Sequence, residues 1–249
     1  MIPPWRNQGC VVRVASTIFK TLTAPLLDFI YPPVCLTCDR MLENAGDKIC
    51  KECRAEIRSL NKDTPVWKEL HQKFTSGGVI DGFTSCYLFE KEGKLQQAIH
   101  SLKYQGMHSV GFLMGKDVGT QISADPLIAG ADYVVPVPLH KLKERERGYN
   151  QAVHICSGIA ASSGIQPLPT LLKRTRYTES QTKLDINQRK DNVSAAFKLD
   201  PKFENQIRGK SIILVDDIIT TGSTISECGR ILKEHGAMRV FAASVGLAE

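Results

Sequence analysis

One segment, Ile212–Thr224, constrains the fold of this chain more than any other feature of its sequence. Four consecutive aliphatic residues, Ile212–Val215, predict a buried strand, and two adjacent carboxylates, Asp216 and Asp217, follow them. After two further aliphatic residues, the hydroxyl-rich run Thr220–Thr224 leads into a helical pattern. Ligands of open parallel sheets collect beyond the carboxyl ends of strands, so this segment is a candidate binding site.

The residues Thr220–Thr224, called the hydroxyl loop below, have the chemistry of an anion site. A helix N-terminus presents unpaired backbone N–H groups and the positive end of the helix dipole, and Gly222 allows a phosphate to approach closely. A phosphate would repel Asp216 and Asp217, the acidic pair, which suit the hydroxyls of a sugar instead. The alternative, a solvated acidic pair beside an ordinary Ser/Thr helix cap, explains single residues but not the combination. A P-loop is excluded, because no Gly-x-x-x-x-Gly-Lys-Ser/Thr occurs.

The rest of residues 80–249 alternates strand-like and helix-like patterns. This alternation predicts an α/β fold, a mostly parallel sheet flanked by helices. Residues 62–80 show a weak pattern punctuated by glycines, which favours a linker before this domain. The predicted strands are Phe83–Phe89, Tyr133–Pro138, Ser211–Val215 and Val240–Val245, and the predicted helices are Lys94–Tyr104, Val110–Ile122, Asn150–Ser162 and Ser223–His235.

Four cysteines form two Cys-x-x-Cys pairs, Cys35 with Cys38 and Cys50 with Cys53, separated by eleven residues. This spacing is typical of a zinc ribbon, in which four thiolates close a structural Zn²⁺ site without an open position for catalysis. Residues 31–60 have little apolar material for a core, and metal binding would supply folding free energy. A thioredoxin-like redox pair is the alternative, but such a motif normally occurs once. The other cysteines are isolated and read as buried small hydrophobes: Cys10, Cys86, Cys156 and Cys228.

Residues 1–30 are predicted to form a helical extension, because Val14, Ile18, Leu22 and Leu26 recur at nearly helical spacing. Packing of this stripe on the protein is favoured over contact with a membrane surface. No apolar run is long enough for a secretion signal or a membrane span. We therefore expect a cytoplasmic protein with reduced thiols.

Two segments, residues 140–150 and 173–190, together carry the same net charge, +6, as the whole chain. In the first, Arg147 stands before a glycine after a predicted strand end and is a candidate ligand for pyrophosphate. The second is long and polar, which is typical of lids, with Lys183 and Arg189 as candidate lid residues. A solvated basic surface is the alternative for both. No general base is evident, since His140 is an isolated histidine near the strand end.

The stretch Val215–Thr224 closely resembles the phosphoribosyl pyrophosphate (PRPP) motif of type I phosphoribosyltransferases. By that resemblance, Asp216 and Asp217 would bind the ribose 2′- and 3′-hydroxyls. The 5′-phosphate would be held by Thr220, Thr221, Gly222, Ser223 and Thr224.

Several further motifs, taken together, resemble the ComF competence-protein family, from about Phe29 to the C-terminus. The resemblance implies a zinc-finger-bearing type I phosphoribosyltransferase-like protein, predicted as an amidophosphoribosyltransferase, in a family linked to DNA uptake in natural transformation. The motifs are the cysteine module after Ile30-Tyr31-Pro32-Pro33, Leu102-Lys103-Tyr104-x-Gly106, Pro136-Val137-Pro138-Leu139 with Arg147-Gly148-Tyr149-Asn150-Gln151, Thr178-x-x-Gln181-x-x-Leu184 and Arg189-x-x-Asn192-Val193.

Three functions remain open at this point. The first is an enzyme that binds PRPP with Mg²⁺ and transfers the phosphoribosyl group to an acceptor that the sequence does not identify. The second is an adaptor that handles single-stranded DNA together with proteins of the competence machinery. The third is a PRPP sensor that keeps the ligand site without catalysis. Fold alone does not decide among them.

Overall fold

The protein is described here by a computed structural model of two compact units that divide between Cys53 and Arg54. The structure describes residues 32–44, 46–175 and 196–248. The predicted N-terminal helix at residues 1–30 therefore lies outside the described residues. Among the residues that are described, no helix combines the length and the apolarity that crossing a bilayer requires.

The described helices and strands occur in the order that the sequence patterns predict, with additional short elements. A 3₁₀ turn at Pro201–Phe203 precedes the seventh helix. The helices are α1 (Lys51–Ala55), α2 (Pro65–Gly77), α3 (Lys94–Tyr104), α4 (His108–Ala124), α5 (Lys141–Arg147), α6 (Gln151–Ser163), α7 (Glu204–Ile207) and α8 (Ser223–Glu234). The strands are β1 (Gly82–Phe89), β2 (Tyr133–Pro136), β3 (Gln166–Pro167), β4 (Leu172–Arg174), β5 (Phe197–Leu199), β6 (Ser211–Ile219) and β7 (Arg239–Ala248).

Five of these strands form one parallel sheet in the order β1-β7-β6-β2-β3. Strand β6 lies in its centre, where Val215 pairs with Pro136 on one side and with Ala243 on the other. Strands β4 and β5 form a separate antiparallel pair. The predicted parallel sheet is confirmed, and its central strand carries the acidic pair to the carboxyl edge.

Helices cover both faces of the sheet. Successive side chains of a strand point to opposite faces, so Ile212 and Leu214 lie on one face of β6 and Ile213 and Val215 on the other. The first face packs in a core cluster with residues of α2 and α8. Helix α6 contacts β2 and β6, and α4 contacts β1. All four of these β6 side chains are fully buried, which explains why the sequence shows a continuous aliphatic run rather than alternation.

Three glycines allow α4 and α6 to pack in very close contact. A Cβ atom added to Gly115 would lie 2.2 Å from the Ile155 carbonyl oxygen, and one added to Gly158 would lie 2.1 Å from the Phe112 carbonyl oxygen. A Cβ atom on Gly119 would meet the Ser162 hydroxyl at 2.1 Å. Close packing of this pair sets the position of α6, whose first residue reaches the acidic pair.

Two expectations about element boundaries are wrong. The predicted linker at residues 62–80 contains the 13-residue helix α2, which begins with Pro65 and buries Leu70 and Phe74. The central strand does not end at Val215 but continues to Ile219, because pairing with β7 extends that far. Pairing with β7, which local patterns do not encode, sets the end of β6, whereas α2 carries local helix signals in Pro65 at its start and Gly78 after its end.

Candidate functional site

The acidic pair lies within strand β6, near its carboxyl end, and not in a loop after it. Because strand side chains alternate, Asp216 and Asp217 point to opposite faces of the sheet. Asp216 lies on the same face of the sheet as Leu214, which packs with α8. Asp217 lies on the same face as Val215. The two carboxylates thus lie on opposite faces of the sheet near the carboxyl end of the central strand, and they have different neighbours.

Asp217 is buried and contacts two side chains from other elements. The Lys103 ammonium group, at the end of α3, lies 2.5 Å from Oδ2. The Gln151 side-chain amide, on the first residue of α6, donates to Oδ1 at 3.4 Å. Apart from the ion pair with Lys103, Oδ2 has no hydrogen-bonding partner among the described residues. The Oδ2 atom is itself buried, so Lys103 rather than solvent compensates its charge.

The two carboxylates differ in their tendency to ionise. Burial raises the pKa of Asp216 well above its ordinary value, and the neighbouring Asp217 charge adds to this effect. Burial also opposes the charge of Asp217, but the Lys103 ammonium group outweighs it and holds the pKa of Asp217 below its ordinary value. The pKa values of the two adjacent acids are thus shifted in opposite directions, and Asp217 is the more readily ionised member of the pair.

Asp216 faces the α8 side of the sheet. Its Oδ1 accepts the backbone N–H of Asp217 at 2.9 Å. Its charge adds to the effect of burial in raising the pKa of the buried Cys228 thiol of α8. It also acts on Arg174 of β4, whose pKa burial lowers and the Asp216 charge raises. The Arg174 guanidinium lies 5.2 Å from the centre of the Phe197 ring.

The hydroxyl loop joins β6 to α8 through a left-handed glycine. Gly222 has φ 70° and is the N-cap of α8, and no side chain of the described residues caps this helix. The Thr221 and Ser223 hydroxyls lie 2.9 Å apart. The free N-terminus of α8, the positive end of its dipole and two adjacent hydroxyls together form an arrangement suited to an anion.

Helix α2, which lies where a linker was predicted, packs against this loop. A Cβ atom on Gly222 would lie 2.7 Å from Phe74 and 3.0 Å from Leu70, so only glycine fits there. The Lys73 ammonium group of the same helix donates to the Thr221 carbonyl. Close packing and a positive φ thus both require glycine at position 222.

Arg147 ends α5, one residue before Gly148, which has φ 80°. Its guanidinium donates to the Gln151 side-chain oxygen at 3.0 Å and lies 5.3 Å from the centre of the Tyr104 ring. Since Gln151 in turn contacts Asp217, the structure links Arg147 to the acidic pair through one side chain.

The other residues of the Arg-Gly-Tyr-Asn-Gln motif hold the site together. The Asn150 side-chain oxygen accepts the Ala152 N–H at 3.0 Å and caps α6, while its amide donates to the Val137 carbonyl at 2.9 Å. The Tyr149 hydroxyl donates to the Leu102 carbonyl. The Leu-Lys-Tyr and Arg-Gly-Tyr-Asn-Gln motifs are therefore in contact: Tyr149 of the second binds Leu102 of the first, and each motif supplies one partner of Asp217.

Two further predictions concern the neighbourhood of this edge. His140 is the N-cap of α5, where its Nδ1 atom accepts the Leu142 N–H at 3.2 Å, so this histidine has a structural role. The lid candidates Lys183 and Arg189 lie outside the described residues. They belong to the segment that connects β4 with β5.

The four cysteines of the N-terminal unit converge. Their sulfur atoms all lie within 4.8 Å of one another. Cys38 and Cys50 are 3.7 Å apart, close to the roughly 3.8 Å that a tetrahedron with Zn–S bonds of about 2.3 Å requires. The Cys50 N–H donates to the Cys35 sulfur at 3.2 Å, and the Cys53 N–H donates to the Cys50 sulfur at 3.4 Å. Backbone donors of this kind stabilise thiolates, so these residues fit a structural zinc ion.

The remaining described cysteines are as predicted. Cys86, Cys156 and Cys228 are free and buried. Cys10 lies outside the described residues.

Comparison with protein families gives two matches. A family described as a phosphoribosyl transferase domain matches residues 159–246. A family described as a double zinc ribbon domain matches residues 26–64. The first range includes β6, the hydroxyl loop and α8, and the second includes the four cysteines.

Comparison with curated proteins gives relatives with consistent names. Competence protein F of Haemophilus influenzae is 34% identical over 43% of this chain and 46% of its own length. DNA utilization protein YhgH of Escherichia coli is 30% identical over 59% of this chain and 64% of its own length. Competence protein ComFC of Bacillus subtilis is 26% identical over 82% of this chain and 79% of its own length. The first two alignments thus span about half to two thirds of the relatives' lengths.

The chain is thus similar to proteins named for competence and DNA utilization, and each of the two family matches covers less than half of it.

Among solved structures, this chain is similar to glutamine PRPP amidotransferase from B. subtilis, with 19% identity and a TM-score of 0.38. That alignment covers 58% of this chain and 30% of the other. The fold of the chain is the parallel sheet flanked by helices, with the domain match at 159–246 and the cysteine module before it.

Reasoning from the sequence missed three residues near the acidic pair and the hydroxyl loop. Lys103 and Gln151 contact Asp217, and Lys73 contacts Thr221. Lys103 and Gln151 stand in motifs that resemble those of the family, which could have marked them as candidates. Lys73 lies in the segment read as a linker and carries no motif.

Proposed function

We propose that this protein is a member of the ComF family that binds PRPP with Mg²⁺ at the acidic pair and the hydroxyl loop and transfers the phosphoribosyl group to an acceptor with a nucleophilic nitrogen. We further propose that it does so in the cytoplasm, in support of DNA uptake. Pyrophosphate leaves in this reaction. The domain match and the names of the relatives support a phosphoribosyltransferase-like, competence-associated protein.

One observation carries this proposal: sugar-binding and phosphate-binding chemistry meet at one edge of the sheet. Asp217 places a carboxylate near the end of β6, and three residues after the end of the same strand Gly222 opens the uncapped N-terminus of α8. A ribose 5-phosphate unit has this arrangement of groups, a vicinal diol at one end and a dianion at the other. Strand β6 and its loop present partners for both in sequence order.

The residues have the following roles in this proposal. Asp216 and Asp217 orient the ribose through its hydroxyls, and Thr220–Thr224 hold the 5′-phosphate. Arg147 stabilises the departing pyrophosphate, because a guanidinium offers several donors to phosphate oxygens. Lys183 and Arg189 close over the ligand and exclude water. Mg²⁺ enters with PRPP and neutralises phosphate charge.

In the N-terminal unit, Cys35, Cys38, Cys50 and Cys53 hold a structural zinc ion in this proposal. The sulfur positions and the zinc ribbon match support it. A site closed by four thiolates has no position for a substrate, so the zinc stabilises the unit and takes no part in transfer.

Calorimetry with PRPP and Mg²⁺ tests the ligand. We expect Asp216→Ala/Asp217→Ala to weaken PRPP binding by about 100-fold or more, because two hydrogen-bonded carboxylates are lost. Asp63→Ala is the matched control, since the Asp63 side chain is 86% exposed. Equal affinities of the wild type and the double variant would overturn the assignment of this site. Pyrophosphate release with a panel of purine, pyrimidine and amine acceptors then tests transfer.

A second candidate function is the handling of single-stranded DNA, which the name of the E. coli relative, DNA utilization protein, favours. Titration of the zinc-loaded chain with single-stranded DNA at several salt concentrations tests it. Binding with a steep salt dependence that is lost on zinc removal supports a DNA adaptor. If PRPP binds but no acceptor yields pyrophosphate, a PRPP sensor replaces the transferase.

A further inference from the structure

Lys103 makes an ion pair with the acidic pair that the proposed roles leave unexplained. It is the penultimate residue of α3, and its ammonium group lies 2.5 Å from Asp217 Oδ2. The Asp217 side chain is 6% exposed and that of Lys103 23% exposed. An ion pair withdrawn from water to this degree is electrostatically strong, and loss of one partner leaves a buried charge without compensation.

Several contacts hold the end of α3 against this site. The backbone carbonyl of Leu102, the residue before Lys103, accepts the Tyr149 hydroxyl. Tyr149 stands between Arg147 and Gln151, and Gln151 is the second partner of Asp217. The Leu-Lys-Tyr and Arg-Gly-Tyr-Asn-Gln segments therefore form one unit around a single carboxylate.

The charged and titratable groups around the pair show why such a unit is needed. Asp216 adjoins Asp217 on the same strand, and two buried carboxylates side by side strongly disfavour double ionisation. Arg174 of β4 and Cys228 of α8 interact electrostatically with Asp216. Gln151 of α6 faces Asp217 but is uncharged. Among the described residues, Lys103 is thus the cation in direct contact with Asp217.

We propose that Lys103 is a positioning residue of the acidic pair: its ammonium group keeps Asp217 ionised and fixed at the carboxyl edge of β6, where this carboxylate accepts hydrogen bonds from a sugar diol. Lys103 does not touch the reacting atoms and acts through Asp217. The inference rests on the proposed function only for the identity of the sugar, which is the ribose of PRPP.

A specific pH dependence follows. Without the Lys103 charge, the pKa of Asp217 rises, so Asp217 is ionised only at higher pH and takes up a proton as the pH falls. A protonated carboxyl group is a weaker acceptor for hydroxyls than a carboxylate. The defect of a variant that lacks the charge therefore grows as the pH falls, whereas loss of packing alone would weaken binding equally at every pH.

The first test is PRPP–Mg²⁺ binding at pH 8 and pH 6 for the wild type, Lys103→Met and Lys103→Arg. We expect the ratio of the Lys103→Met dissociation constant to that of the wild type to be ~10-fold larger at pH 6 than at pH 8. Lys103→Arg retains the charge and keeps the wild-type pH profile. Lys116→Met, which removes an exposed lysine of α4, matches the wild type at both values. A ratio for Lys103→Met that does not change with pH overturns the inference.

The second test does not depend on PRPP. Carboxyl carbon NMR of aspartate-labelled protein, with Asp217→Asn for assignment, follows the ionisation of Asp217 directly. We expect Lys103→Met to move this titration to higher pH, and an unchanged titration overturns the inference even if PRPP binds. If the titration moves while the wild type does not bind PRPP, the proposed function fails and the role of Lys103 towards Asp217 stands.

Discussion

The four-cysteine unit and the sheet unit of this chain are stabilised in opposite ways. In the described part of the first, the buried cluster consists of Cys35, Leu42 and Cys53, two of which are proposed metal ligands. The sheet unit buries a far larger cluster drawn from α2, α8, β6 and β7. We therefore expect the first unit to depend on a bound ion for its fold, whereas close packing maintains the second.

The largest expected effect is the loss of zinc from the small unit. We expect about one zinc ion per chain, and Cys50→Ser or a strong chelator to unfold residues 32–53, because metal binding in such units supplies about 10–16 kcal/mol. Metal analysis measures the zinc content, and hydrogen exchange measures the unfolding of residues 32–53. Cys156→Ala, a buried cysteine outside the cluster, should leave the zinc content unchanged. Protection of residues 32–53 that persists without zinc would remove the contrast between the units.

The next effect concerns packing in the sheet unit. Gly158→Ala places a Cβ atom 2.1 Å from the Phe112 carbonyl oxygen, and backbone cannot move aside cheaply. We expect a loss of about 2–4 kcal/mol in the free energy of unfolding, measured by denaturant titration, with zinc content unchanged. Gly77→Ala, a helical position with nothing within 4 Å, is the control and should be neutral or slightly stabilising. Equal losses in the two variants would show that the α4–α6 contact is not closely packed.

The smallest effect is electrostatic. Asp132 accepts the Ser211 N–H and the Lys210 ammonium group at 2.9 Å each, and together they hold the pKa of this carboxyl group below its ordinary value of 3.8. A lowered folded-state pKa adds stability above the unfolded-state value, and this contribution disappears as the pH falls through the folded-state value.

We therefore expect Asp132→Asn to cost about 1 kcal/mol at pH 7 and nothing once the pH is well below about 3.8, as measured by thermal unfolding against pH. Asp63→Asn, at an exposed position, should show no such difference. A cost for Asp132→Asn that persists in acid would assign the effect to packing rather than charge.

Much of the fold could be predicted because its signals are local. The helix Lys94–Tyr104 has the predicted bounds, and strand β1 begins one residue earlier than predicted. Helix α2 was missed although its signals are local: Pro65 stands at its start, Gly78 follows its end, and the buried Leu70 and Phe74 have helical spacing. The extension of β6 to Ile219 depends on pairing with β7, so the local sequence pattern did not predict it.

In the candidate site, too, some residues were identified from local sequence and others were placed only by tertiary contacts. The hydroxyl loop and the four cysteines were identified from spacing within a few residues, since one turn or one strand end places such side chains together. The placement of Lys103 against Asp217 depends on how α3 and α6 meet β6, which no local spacing encodes.

By itself, the sequence determined that a strand would carry two acids into a hydroxyl-rich helix start and that four thiolates would converge, because short-range geometry sets both. Only the tertiary structure decided that Asp216 and Asp217 face opposite sides of the sheet with different partners. It also decided that Lys103 compensates the charge of one of them. Burial of apolar surface drives that arrangement, and it acts between residues that are distant along the chain.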